Sequence, residues 1–219
     1  MPPYRLPSLQ QIKREFQKLR NPIEISLFLS PEEDPESFPA YEFINTIANQ
    51  DPKIKLNLIT KQAKPELFNQ YHIKEVPAIV IEDSGIVYTG VPSGSEAMMF
   101  IQTLIMKSTE NTGIGEVISR VLASLTKPVL LRTIITSQCT ICPLAVKIGN
   151  MLALESALTG GGLIKHEIIE ALEHPDYVAE YDLSAVPIIL INNEIAFNGI
   201  PDVDEYVLKI AKAGKSVNL

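Results

Sequence analysis

Two cysteines are the residues of this sequence whose type and spacing point most directly to chemistry. Cys139 and Cys142 are the only cysteines among 219 residues, and Pro143 follows them directly. Two sulfurs three positions apart come within bridging reach of each other on a helix. The pair therefore predicts thiol–disulfide exchange, in which a thiolate attacks one sulfur of a disulfide.

The sequence around the pair predicts a strand, a short loop and then a helix. A β-like run spans 129–135, and apolar residues recur at helical spacing after Pro143, which suits the first turn of a helix. Cys139 is then expected at the mouth of the helix amino terminus, where free N–H groups and the helix dipole favour a thiolate, with Cys142 one turn in. We expect Cys139 to attack and the more buried Cys142 to resolve the mixed disulfide.

Three other interpretations of the cysteine pair stay open at this point. A zinc or iron–sulfur site needs more thiolates than one chain supplies, and His72, His166 and His174 show no ligand-pair spacing, so a metal would require a dimer. The other two are a pair of buried core cysteines and a structural disulfide, which a cytoplasmic setting disfavours. We predict neither a metal nor another cofactor, because the sequence shows no residues that would bind flavin or nicotinamide.

Composition limits the classes of protein to which the chain can belong. Hydrophobic residues make up 46% and charged residues 21%, which indicates a packed protein rather than a disordered one. The net charge is −7, so we expect neither nucleic acid nor an anionic membrane as a partner. The first residues lack a signal-peptide pattern and no apolar run is long enough to span a bilayer, so a cytoplasmic location is expected.

The chain repeats one pattern of elements, which predicts two units. A helical pattern from residue 8 is followed by a β-like run at 23–29. A second helical pattern from residue 116, with Val117 and Leu122 on its apolar face, is followed by a β-like run at 129–135. Later in each copy a Val-Pro pair opens an apolar strand, a second strand and a glycine follow, and a helical pattern comes last. We predict an α/β protein of two tandem units, 1–110 and 111–219, each with a mixed central sheet flanked by helices.

Both Val-Pro pairs stand where an apolar strand begins. Val76 and Pro77 occupy this place in the first unit, and Val186 and Pro187 occupy it in the second. Because proline cannot donate a hydrogen bond to a sheet, it suits the start or the edge of a strand. Position alone leaves open whether the peptide bond before each proline is trans or cis.

The order strand, CxxC-Pro, helix, Val-Pro and hairpin resembles the thioredoxin/glutaredoxin fold. The doubled arrangement resembles the glutaredoxin-like protein disulfide oxidoreductase family, built of two tandem thioredoxin folds, and the similarity is carried by CTICPLAV at 139–146 and by the stretch 174–187. The resemblance implies a cis Pro187 opposite the cysteines. It also implies that the backbone of Val186 pairs with an extended substrate segment near Cys139, with Pro143 in a supporting place.

The resemblance has consequences for partners as well. It implies protein disulfides as substrates, and a thioredoxin-reductase-like flavoprotein or a peroxiredoxin as a redox partner. It leaves a homodimer open. Two further functions stay open beside the oxidoreductase: a non-catalytic redox-sensing or peptide-binding module, and a metal or cluster site bridged by a dimer.

The first unit departs from the family pattern, in which each unit usually carries a CxxC. The equivalent stretch, 29–39, contains no sulfur and four acids. We therefore predict that the first unit is redox-silent and has a structural or a substrate- or partner-binding role. The acids are expected to form a solvated loop at a helix start, where negative charge is favourable. In plan, this arrangement is similar to the amino-terminal module of the flavoprotein component of alkyl hydroperoxide reductase.

A thioredoxin-type site often has a buried acid on the strand before the cysteines, and this sequence has Thr133 there. Glu170 and Glu173, after the next predicted strand, are candidate proton acceptors for Cys142. The preferred interpretation of both is nevertheless that they are surface carboxylates. His166 and His174 are likewise expected at the surface.

Overall fold

The structure, a computed structural model, describes residues 4–182 and 186–215. In the first half of the chain the elements are α1 (Leu9–Phe16), β1 (Ile23–Leu29), α2 (Ser37–Ala48), β2 (Ile54–Thr60), α3 (Pro65–Tyr71), β3 (Ala78–Ile81), β4 (Ile86–Thr89) and α4 (Ser95–Thr109). In the second half they are α5 (Glu116–Ala123), β5 (Val129–Ile135), α6 (Cys142–Thr159), β6 (Ile164–Glu170), a 3₁₀ turn (Asp176–Val178), β7 (Ile188–Ile191), β8 (Glu194–Asn198) and α7 (Val203–Gly214).

The two halves build the same four-stranded arrangement. In the first half β1 pairs in parallel with β2 and antiparallel with β3, which pairs antiparallel with β4. In the second half β5 pairs in parallel with β6 and antiparallel with β7, which pairs antiparallel with β8. The predicted α/β class with mixed sheets flanked by helices is confirmed. The division of the chain at residue 110 stays a prediction.

One strand pairing joins the two halves. β4 lies parallel to β6, with Ile86 opposite His166 and Thr89 opposite Ile169, so that the described strands form a single eight-stranded sheet in the order β2-β1-β3-β4-β6-β5-β7-β8. Helices α4 and α6, one from each half, contact each other across the same junction. The start of α4 is thereby held beside the start of α6, where the cysteines lie.

A buried polar network crosses this junction. Asn150 Nδ2 donates to Tyr88 Oη and to Thr103 Oγ1, each at 2.9 Å, and Asn150 Oδ1 lies 2.7 Å from Nδ1 of His166. His166 Nε2 is 2.7 Å from Thr133 Oγ1. His166 is fully buried, so the expectation of a surface histidine is wrong: its ring packs against Gly149 and Asn150 of α6, which covers this face of the sheet.

The local predictions hold best for strands. The predicted runs 23–29 and 129–135 coincide with β1 and β5. The helical pattern from residue 116 predicts Val117 and Leu122 on one apolar face; Leu122 is buried as predicted, whereas Val117 is 79% exposed. Among the described residues no helix is long and apolar enough to cross a membrane.

Candidate active site

The two cysteines lie between the end of β5 and the start of α6 and form a disulfide with each other. Helix α6 begins at Cys142, with Ile141 as its N-cap. The prediction that Cys142 lies one turn inside the helix is therefore wrong, because Cys142 is the first helical residue. The local reason is that Pro143 fits the first turn and the chain before it is not helical. Cys142 is fully buried, whereas Cys139 is partly exposed.

The helix start holds Cys139 through backbone groups. The N–H of Cys142 donates to Cys139 Sγ at 3.1 Å, and the N–H of Cys139 donates to the carbonyl of Thr136 at 3.0 Å. A backbone N–H aimed at a sulfur stabilises a thiolate, as does the positive end of the helix dipole. Of the two cysteines, Cys139 is thus both the more exposed and the one whose sulfur accepts a backbone N–H.

The Val-Pro loop of the second half lies opposite the cysteines. The peptide bond between Val186 and Pro187 is cis, and the Val186 carbonyl oxygen is 3.9 Å from Cys139 Sγ. The carbonyl of Pro187 accepts a hydrogen bond from Gly199 N at 2.7 Å, which ties this loop to the end of β8. The cis geometry and the place of Pro187 are as the resemblance implied. Residues 183–185 of the stretch 174–187 lie outside the described residues.

Glu170 holds the loop that leads to Cys139. Its Oε1 accepts from the N–H of Ser137 at 2.6 Å and its Oε2 accepts from the N–H of Glu173 at 2.8 Å. The side chain is 4% exposed, so the preferred interpretation of a surface carboxylate is wrong. The first half covers it: a Cβ on Gly90 would lie 2.7 Å from Glu170 Cβ.

Glu173 reaches from the second half into the first. Its Oε2 accepts from the N–H of Val91 at 3.0 Å and from Tyr4 Oη at 3.4 Å. Burial, and to a lesser degree repulsion from Glu170, raises the pKa of Glu173 to about 8. It is half-buried rather than a free surface acid, for the same reason as Glu170.

Sequence reasoning missed a third acid, Glu96 in the first turn of α4. It is 1% exposed, and neither carboxylate oxygen has a hydrogen-bond partner among the described residues. Burial and the nearby Glu170 raise its pKa to about 8. The adjacent Ser95 donates its hydroxyl to the carbonyl oxygen of Cys139 at 2.9 Å, so this helix start abuts the CxxC.

A weak signal for Glu96 exists in the sequence. Glu96, Phe100 and Leu104 stand four residues apart, on one helical face that is apolar except for Glu96. An acid on the buried face of a helix is a candidate functional group. Its proximity to the cysteines could not be inferred, because it depends on how the two halves pack.

The stretch 29–39 of the first half, which is equivalent to the CxxC stretch of the second half, extends from the end of β1 into the start of α2. Glu32, Glu33 and Glu36 are exposed, as expected for a solvated loop, and Glu33 pairs with Lys61 at 2.8 Å. Asp34 is half-buried and accepts hydrogen bonds from Glu36 N and Ser37 Oγ. The first half also retains a cis peptide bond before Pro77.

Comparison with known proteins places this geometry in context. Residues 132–211 match the family model of the thioredoxin domain. A protein disulfide oxidoreductase from Aeropyrum pernix k1 has a TM-score of 0.90 and 25% identity, over 96% of this chain and 96% of that chain. The alkylhydroperoxide reductase AhpF of Enterococcus faecalis (V583) has a TM-score of 0.80 and 22% identity, over 94% of this chain and 97% of that chain.

A sequence relative is larger than this chain. A protein of Ferdinandcohnia aciditolerans named NADH dehydrogenase is 26% identical over 129 residues, or 59% of this chain, and the chain spans 24% of that relative's length. Together these matches confirm the resemblance predicted from the sequence. The chain is a thioredoxin-fold protein, similar in structure to a protein disulfide oxidoreductase, and its second half contains a thioredoxin domain with a CxxC disulfide.

Proposed function

We propose that this thioredoxin-fold chain is a thiol–disulfide oxidoreductase that acts on protein disulfides through Cys139 and Cys142. The observation that carries the proposal is the disulfide itself: Cys139, the partly exposed partner, lies at a helix start, and its Sγ is 3.9 Å from the carbonyl oxygen of Val186, beside Pro187. Exchange chemistry needs one accessible sulfur, one resolving sulfur and a surface that presents the substrate.

The reaction runs as two exchanges when the pair begins reduced. The Cys139 thiolate attacks one sulfur of the substrate disulfide, forming a mixed disulfide and releasing the other substrate sulfur as a thiolate. The Cys142 thiolate then attacks Cys139 Sγ in the mixed disulfide and releases the second substrate thiolate. The substrate gains two electrons and the enzyme pair loses two, leaving the Cys139–Cys142 disulfide; each substrate thiolate takes up a proton.

The backbone of Val186 presents the substrate in this proposal. An extended segment that pairs with the chain before Pro187 brings its sulfur toward Cys139, as in strand addition to a sheet edge. Pro143 supports the site from the first turn of α6. Glu170 acts as a positioning residue, because both of its carboxylate oxygens already accept backbone hydrogen bonds, one of them from Ser137.

Glu96 is the proton acceptor that we assign to Cys142. Cys142 is fully buried, and a thiol there must lose its proton before it attacks. Neither carboxylate oxygen of Glu96 has a hydrogen-bond partner in the described part of the chain, and its neighbour Ser95 contacts the carbonyl of Cys139. A carboxylate with a pKa raised to about 8 is well matched to exchange a proton near neutral pH.

The redox partner in this proposal is a thioredoxin-reductase-like flavoprotein, and a peroxiredoxin is a candidate acceptor. The supporting observation is the fold shared with the alkylhydroperoxide reductase AhpF over 94% of this chain. The first half is redox-silent in the proposal, because it has no sulfur in the loop equivalent to the CxxC; it supplies Glu96 and cover for Glu170. We further propose a boundary between the units near residue 110.

An insulin-reduction assay with dithiothreitol tests the function. We expect Cys139→Ser to abolish turnover, and Cys142→Ser to accumulate a mixed disulfide with the substrate that dithiothreitol releases. Turnover that is unchanged in Cys139→Ser would refute the proposal. A wild-type pair that oxidises and reduces reversibly but never turns over a protein disulfide would instead indicate a redox sensor.

A further inference from the structure

A cavity of about 400 Å³ lies between the two halves, beside the loop that leads to Cys139. One wall is formed by the first half, with Asp34 and Glu36 from its sulfur-free loop and Pro77 from its Val-Pro pair. The opposite wall is formed by the second half, with Ser137 and Glu173. We call this space the acidic cavity. Its volume is sufficient for one long side chain and adjoining backbone.

Asp34 and Glu36 give the acidic cavity a negative charge that no described Lys or Arg in its lining balances. Glu36 Oε2 and Glu173 Oε2 both accept from Tyr4 Oη, at 3.1 and 3.4 Å. Asp34 and Glu36 form no ion pair among the residues that the structure describes, and no described Lys or Arg lines the cavity. The cavity therefore favours a cationic occupant by charge.

A buried histidine in the same wall is also incompletely bonded. His174 is 7% exposed, and its Nε2 has no hydrogen-bond partner within residues 4–182 and 186–215. Burial lowers the pKa of His174, which keeps the ring neutral near neutral pH, so it does not neutralise the acids. A buried ring nitrogen without a hydrogen-bond partner, in a residue that lines the cavity, is the second observation that we connect with an occupant.

The geometry favours an organic cation over a metal ion. Across the described part of the chain, no three His, Cys, Asp or Glu side chains converge closely enough to hold a metal. The cavity also has apolar walls, from Val76, Pro77 and the half-exposed Leu172. An apolar stem with a charged end is the chemistry of a lysine or arginine side chain.

The position of the cavity connects it with the disulfide chemistry. Ser137 stands two residues before Cys139, and its N–H is held by Glu170. Pro77 follows a cis peptide bond and precedes a strand, the arrangement that Pro187 has in the second half. A chain that lies across the cavity therefore passes next to the loop that carries Cys139.

We propose that the acidic cavity binds a lysine or arginine side chain of the protein whose disulfide Cys139 attacks. This proposal rests on the proposed function and assigns a substrate preference to it: disulfides that have a basic residue nearby. The redox-silent half then has a recognition role, exerted through its sulfur-free loop.

Two matched disulfide peptides test the preference by kinetics. They differ only in one position near a cysteine, lysine in one and glutamine in the other, with that position moved along the peptide in a series. We expect kcat/KM for the best lysine peptide to exceed that of its glutamine partner by about tenfold, the effect of one well-placed ion pair. Equal kcat/KM across the whole series would overturn the recognition site and leave the oxidoreductase function standing.

A charge reversal sharpens the test and controls for folding. Glu36→Lys is expected to remove the lysine preference and to favour a glutamate peptide, whereas Glu32→Lys makes the same charge change at an exposed residue outside the cavity. A Glu36→Lys variant that keeps the lysine preference would overturn the proposal, as would an equal loss in Glu32→Lys. The gain with the glutamate peptide excludes misfolding as the explanation.

A binding measurement separates this proposal from the proposed function. Fluorescence anisotropy is recorded with labelled lysine and glutamine peptides in which serines replace both cysteines, so that no exchange can occur. Tighter binding of the lysine peptide, with no turnover of any disulfide, would support the recognition site and refute the function. Equal binding of the two peptides would refute the recognition site whatever the turnover.

Discussion

Replacing Glu96 with glutamine tests the active site at the residue that sequence reasoning missed. Glutamine keeps the size of the side chain and removes its charge and its capacity to take up a proton. If Glu96 is the proton acceptor for Cys142, turnover at neutral pH falls by about 10²-fold, the usual contribution of a positioned base. The mixed disulfide on Cys139 then accumulates, because attack by Cys142 becomes slow.

The same variant has a stability effect of calculable sign. The pKa of Glu96 rises from 4.5 to about 8 on folding, so the folded protein binds more protons than the unfolded chain between these values. Wild-type stability is therefore lost as the pH rises from about 4.5 to 8, by about 1.4 kcal/mol per pH unit and about 5 kcal/mol in total. Glu96→Gln lacks this loss, and the difference between the two proteins grows with pH over that window.

Two assays measure these effects on one preparation. Stopped-flow reduction of insulin gives the rate of resolution, and guanidinium unfolding at a series of pH values gives the free energy of unfolding. Glu116→Gln is the matched control, because Glu116 is also in the first turn of a helix but exposed. A Glu96→Gln enzyme with wild-type turnover would refute the catalytic role. A stability difference that does not change with pH would refute the burial argument.

Two further predictions concern the junction. Arg132→Ala should lower the free energy of unfolding by about 2 kcal/mol, because its 2.7 Å ion pair with Glu167 is mostly buried. The control is Lys55→Ala, which removes an exposed ion pair with Glu24 and should lower it by less than about 1 kcal/mol. Equal losses for the two variants in chemical denaturation would contradict the argument from burial. Burial lowers the pKa of His166 from 6.5 to about 3, so between these values the folded protein binds fewer protons than the unfolded chain. The free energy of unfolding therefore falls by up to about 5 kcal/mol as the pH falls from about 6.5 to 3. His166→Gln should lack that acid loss in pH-dependent unfolding, and a variant as acid-sensitive as the wild type would show that His166 is not the cause.

The parts of the fold that follow from local sequence were predictable. β1 and β5 are mostly apolar runs that begin directly after a proline, and both have the predicted bounds. The CxxC and Pro187 come together as the resemblance implied, because the strand, helix and hairpin that carry them are neighbours in one repeat.

The parts that depend on packing between the halves were not predictable. Glu170 is the last residue of β6 and is an expected surface acid by sequence, but the first half covers it next to Gly90. Glu96 belongs to the other half of the chain, and no local pattern shows that its helix start meets Cys139. Thr133 occupies the strand position at which a thioredoxin-type site often has a buried acid, and its hydroxyl contacts His166 of the neighbouring strand.

The parallel pairing of β4 with β6 also gives the first half a role that needs no cysteines. Without the first half, the β6 backbone would be an open edge strand, able to pair with strands of other molecules and to aggregate. The first half therefore protects the half that contains the CxxC from association through this edge.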